Sequence, residues 1–83
     1  MKLIVKVRLK DGILDPQGKA VNTALHHLGY QQIRNVRIGK LIELEIDEPD
    51  PQKARQIVDE ASHKLLTNPI IENYQIEIGE DEK

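Results

Sequence analysis

The chain has 83 residues, no cysteine and a formal net charge of −2, with a pI near 5.9. A single domain of this length buries only about 60–65% of its unfolded surface, and without cysteine it has neither disulfides nor thiolate metal sites to supplement a marginal core. The mildly acidic balance argues against general nucleic-acid binding, which leaves a partner chain as the expected supplement.

The apolar content is aliphatic: 11 Ile, 9 Leu and 5 Val stand against two Tyr, with no Phe or Trp. Such side chains suit strands and offer little surface for stacking ligands or bases. No apolar stretch is long enough to span a bilayer, and the N-terminus alternates instead of forming the apolar core of an export signal. A cytoplasmic protein is expected, with one domain over residues 1–79 and a short charged tail at 80–83 that frays.

Residues 2–9 place Leu3, Val5, Val7 and Leu9 on one side and Lys2, Ile4, Lys6 and Arg8 on the other, which is the pattern of a half-buried strand. A loop follows over 10–14, with Asp11–Gly12 as its turn signal. Asp15–Pro16 supplies an N-cap and a favoured first helical residue. Ala20, Val21, Ala24, Leu25 and Leu28 then recur at helical spacing up to Gly29, predicting a helix over 16–28.

Residues 32–38 and 41–47 are predicted as two strands of a hairpin, with Gly39–Lys40 as a type II′ turn. Val36, Ile38, Ile42, Leu44 and Ile46 face inward; Arg37, Glu43, Glu45 and Asp47 face outward. The start signal then repeats, because Asp50–Pro51–Gln52–Lys53–Ala54 echoes Asp15–Pro16–Gln17–Gly18–Lys19–Ala20. A second helix over 51–66 carries Ala54, Ile57, Val58, Ala61 and Leu65 on one face and stops before Asn68–Pro69. The last strand turns Tyr74, Ile76 and Ile78 inward and Gln75 and Glu77 outward.

The order βαβ–βαβ with right-handed crossovers predicts an α+β, ferredoxin-like βαββαβ fold. Its antiparallel sheet carries both helices on one face, and strand 1 lies between the second hairpin strand and the last strand. That order sets Lys2, Lys6 and Arg8 among Glu43, Glu45, Asp47 and Glu77, where opposite charges attract across strands. Ile4 and Leu41 remain as apolar spots on the open face. A sheet with an uncovered face and free edges invites docking, or strand exchange in a dimer.

The residues that do chemistry are sparse. His26 and His27 are adjacent on a helix and share no face, so they read as surface residues rather than metal ligands. His63 and Lys64 sit in the last helical turn, where cations favour the helix dipole. Ser62 is the only serine and has no base in view. The strand carboxylates lack a pocket to separate their pKa values. Gly39–Lys40 lacks the remaining residues of a phosphate loop. The expected catalytic, cofactor-binding and metal residues are therefore none. Arg37 and Lys40, exposed near the hairpin tip, join Ile4 and Leu41 as the candidate partner interface.

The fold alone decides little. An RNA-recognition domain needs aromatics on its central strands, which are absent. An ACT-like regulatory domain that binds small molecules at a dimer interface needs no motif and stands as the alternative function.

Three ordered runs carry a resemblance that spans essentially the whole chain. They are Gly12–Val21 with Ala24–His26 and Leu28–Tyr30; Val36–Leu44; and Lys64–Tyr74. Together they resemble PurS, the small subunit of phosphoribosylformylglycinamidine synthase. The resemblance implies a purine-biosynthesis ligase that uses formylglycinamide ribonucleotide, glutamine and ATP. In it a glutaminase subunit, PurQ, releases ammonia. A synthetase subunit, PurL, holds ATP, magnesium and the nucleotide substrate. A PurS dimer bridges the two and has no catalytic residue or cofactor of its own.

Overall fold

The computed structural model describes residues 1–79; the tail expected at 80–83 lies outside the described residues. β1 (Lys2–Leu9) is the central strand of an antiparallel three-stranded sheet, with β2 (Lys40–Glu45) on one side and β3 (Glu72–Gly79) on the other. Its alternation decides its environment. Leu3, Val5 and Val7 are buried, and the register sets Val5 between Ile42 and Ile76, and Leu3 between Leu44 and Ile78. The expected placement of strand 1 is therefore observed. Met1 extends the ladder by one step, since Ile46 N–H donates to the Met1 carbonyl at 2.9 Å.

Both Asp–Pro signals start helices. α1 spans Pro16–His27 and α2 spans Pro51–Ala61. Asp15 Oδ1 accepts from Gly18 N–H at 2.8 Å, and Asp50 Oδ1 accepts from Gln52 N–H at 3.0 Å, satisfying donors that a helix start leaves open. Gly29, with φ at +100°, turns the chain out of α1 in the left-handed conformation that glycine tolerates.

α2 continues into a π-helical turn, Ser62–Leu66. Ala54 and Val58 are buried as expected, but Ser62 and half-buried Leu66 continue the stripe. Ile57, Ala61 and Leu65 are exposed. The stripe of Ala54, Val58, Ser62 and Leu66 is already set within α2, where Ile57 and Ala61 are exposed ahead of the wide turn. Ser62 O accepts from both Thr67 N–H and Thr67 Oγ1–H at 2.9 Å, which closes the wide turn. α2 leans toward β3: Arg55 Nη1 donates to Ile76 O at 3.0 Å, and Tyr74 O–H donates to Asp59 Oδ1 at 2.7 Å.

Two details of the ferredoxin-like expectation are corrected. First, the hairpin is absent and the order is βαβαβ, because residues 32–39 form no strand. A type II′ turn needs positive φ at its first central residue, and Gly39 lacks it. The Ile38 N–H instead donates to Asp15 Oδ2 at 2.7 Å. Gly39 passes so close to β1 that an added Cβ would lie 2.3 Å from the Val7 carbonyl oxygen.

Second, α1 does not cover the sheet beside α2. It lies on the segment that follows it. Buried Gly18 abuts Val36, where a Cβ would fall 2.1 Å from the carbonyl oxygen, and the His26 ring meets the Ile33 carbonyl. The stripe expected to face the core stays open: Val21 is 40% and Leu28 72% exposed. The Cα radius of gyration is 16.2 Å, whereas a compact domain of this length has one of about 12 Å.

Candidate partner interface

The open face of the sheet carries the ion pairs that the strand order predicts. Lys2 Nζ lies 3.2 Å from Glu43 and Lys6 Nζ 2.9 Å from Glu77. The register places Glu43 and Glu77 directly opposite Ile4, so both pairs run diagonally around that side chain. Ile4 is half-buried at the centre of this balanced patch.

Farther along β1 the balance ends. Arg8 faces the neutral Asn73 on β3. It has no counterpart on β2, whose ladder stops at the Val7–Lys40 step. Arg37 reaches the same place from the segment before β2, its Nη2 donating to the carbonyls of Leu9 at 3.4 Å and Lys10 at 3.2 Å. Between them opens a cleft of about 510 Å³, lined by Lys6, Arg8, Leu9, Arg37, Lys40 and Leu41 among others. Among the described residues Asp11 is its only acidic lining residue.

Three of the four residues singled out in the sequence, Arg37, Lys40 and Leu41, thus share one cleft, and Ile4 lies apart from it. The register turns Lys40 toward the helix side of the sheet, where its Nζ is 3.8 Å from Glu72. Sequence reasoning did not single out Arg8. The visible signal was the run of uncharged residues, Asn73 and Gln75, at the start of the last strand, but only the register sets them against Arg8 and Lys6.

The cleft is held open by Asp15, whose two carboxylate oxygens tie the start of α1 to Ile38. The N–H groups of Gly18 and then Ile38, with Arg37 nearby, hold the Asp15 carboxyl below its ordinary value of 3.8. The chemistry-bearing residues do not converge. His27 and His63 are exposed, and Ser62 is fully buried with no hydrogen-bond partner for its Oγ. Among the described residues no three His, Cys, Asp or Glu side chains lie close enough to hold a metal. Among the described residues no helix is long and apolar enough to cross a membrane.

Residues 2–80 match the family model described as PurS, phosphoribosylformylglycinamidine (FGAM) synthase. The chain is 46% identical over 79 residues to phosphoribosylformylglycinamidine synthase subunit PurS of Bacillus subtilis, covering 95% of this chain and 93% of that protein. Its fold is similar to the crystal structure of Methanocaldococcus jannaschii PurS, with a TM-score of 0.86, 34% identity and 98% of each chain covered. It is also similar to a chain of the Thermotoga maritima PurLQS structure, with a TM-score of 0.84 and 30% identity, covering 92% of this chain and 93% of that one. The chain belongs to the PurS family of phosphoribosylformylglycinamidine synthase.

Proposed function

We propose that the chain is a non-catalytic, cytoplasmic subunit of phosphoribosylformylglycinamidine synthase in de novo purine biosynthesis. It acts as a homodimer that holds a PurQ glutaminase and a PurL synthetase together. Ammonia released from glutamine then reaches formylglycinamide ribonucleotide in the synthetase, which is also where ATP and magnesium bind. The observation that carries an assembly role is the amount of surface left uncovered. The accessible surface is 6560 Å², against roughly 5,000 Å² for a compact monomer of this mass. The excess is more than one partner's share of a standard interface, about 800 Å², and the apolar stripe of α1 lies within it. A second copy seated on that stripe supplies the cover that the chain's own sheet does not. The ACT-like alternative draws no support from the family match.

The test uses the three subunits together. Glutamine-dependent turnover falls sharply when this chain is omitted, while turnover driven by added ammonium salts persists, because holding two sites together raises effective concentration without altering either one. Glutamine-dependent rates that are equal with and without the chain overturn the bridging role.

A further inference from the structure

We infer that the cleft around Arg8 and Arg37 receives a carboxylate-bearing segment of one of the two larger subunits. The inference rests on the bridging role above and gives it a location. The chain as a whole is negative, yet among the described residues this cleft sets four cations, Lys6, Arg8, Arg37 and Lys40, against one acid, Asp11, and of the four Lys40 lies 3.8 Å from Glu72. Lys6 is already paired with Glu77. Arg8 is exposed and faces an amide rather than a carboxylate. Arg37 is anchored only by two long bonds to carbonyls, which leave guanidinium donors for a ligand.

A second cleft of about 280 Å³, lined by Lys6, Arg8, Asn73 and Gln75 among others, lies on the β3 side of Arg8. Arg8 therefore stands on a ridge between two connected depressions, and the surface is a groove across the end of β1 rather than a cup. Leu41, 55% exposed, is an apolar side chain that lines it on the same face of the sheet as Lys6. Cations around an exposed leucine suit a peptide that carries both acidic and apolar side chains. A small phosphate site needs donors converging on one point, commonly backbone N–H groups at a helix start, and no helix N-terminus lines this groove.

The experiment measures assembly of this chain with purified PurL and PurQ subunits at rising salt, comparing the unaltered chain with Arg8→Glu/Arg37→Glu. The double variant is expected to weaken association by at least about tenfold and to flatten its salt dependence. A second variant, Asn73→Asp/Gln75→Glu, keeps both arginines and neutralises the groove from β3; it is expected to weaken association as well while adding ion pairs to the fold. Lys19→Glu, on the exposed side of α1, serves as the control and leaves association unchanged. Failure of the unaltered chain to assemble overturns the bridging role, and the groove's occupant with it. Assembly that the unaltered and both groove variants support equally overturns the groove alone. Micromolar binding of inorganic phosphate by the isolated chain, lost in the double variant, also overturns it by making the groove a small-anion site.

Discussion

The carboxylate of Asp15 accepts the backbone N–H of Ile38, 23 positions along the chain, at 2.7 Å. The same side chain caps α1 through Gly18. One aspartate therefore caps a helix and takes the Ile38 N–H, a donor at the end of the segment that is patterned for a hairpin strand.

That double role is pH-dependent. The Asp15 carboxyl titrates below its ordinary value because Gly18 and Ile38 donate to the ionised form. A group with a depressed folded pKa contributes stability above its unfolded pKa and loses it as pH falls through the folded one. Asp15→Asn is therefore expected to melt at a lower temperature than the unaltered chain at pH 7. The gap should close as pH drops below 3.8. Thermal melts at pH 7, 5 and 2.5 check this; a gap that stays constant with pH contradicts it.

Gly18 and Gly39 are required by space rather than by φ. Gly39→Ala sets a methyl against the Val7 carbonyl and Gly18→Ala one against that of Val36. Each forces a backbone shift at a cost of about 1–3 kcal/mol. Urea unfolding is expected to show a lower midpoint for both. Gly39→Ala is also expected to weaken assembly, since residues 37–39 form one wall of the cleft.

The uncovered stripe of α1 predicts an oligomer. At micromolar concentration, light scattering is expected to give the mass of at least a dimer. Val21→Lys/Leu28→Lys should lower that mass, because two buried charges would replace apolar cover. Leu41→Lys tests the open face in the same way and is expected to shift the oligomer or lower stability. A monodisperse monomer of the unaltered chain defeats the dimer proposal.

The Tyr74–Asp59 hydrogen bond ties β3 to α2 and, with burial and the nearby charge, raises the phenol above its ordinary 10.0. An ultraviolet titration of Tyr30→Phe, which leaves Tyr74 as the only tyrosine, should show a midpoint above 10.0. Asp59→Asn should return it toward that value. Because a raised phenol pKa favours the neutral form in the fold, the contribution is present below the unfolded pKa and is lost as pH rises through the folded one.

Elements whose environment is local were legible. The alternation of residues 2–9 specified which side chains of β1 are buried, and the two Asp–Pro pairs located both helix starts within a residue. The family was legible from three ordered runs, since those runs extend over most of the chain. The α2 face was legible at Ala54 and Val58 but not at Ile57, Ala61 and Leu65, because helical spacing alone does not say which part of a broad apolar stripe meets the sheet. The cleft was half legible. Arg37, Lys40 and Leu41 were visible as exposed residues near one turn, but Arg8 was hidden in an alternation that looked charge-balanced along its length.

The sequence by itself determined the alternation of β1, the caps, the central place of β1 and the family. Each of these depends on neighbours within a few residues, or on charges that must pair across adjacent strands. Only the tertiary structure decided where the charges run out and where α1 goes. Register is a long-range quantity: one further step of the β2 ladder would set Arg8 against Gly39, so that side offers it no carboxylate. α1 is held to the segment after it by Asp15 at Ile38, by Gly18 against Val36 and by the His26 ring at the Ile33 carbonyl, and its apolar face stays uncovered at Val21 and Leu28.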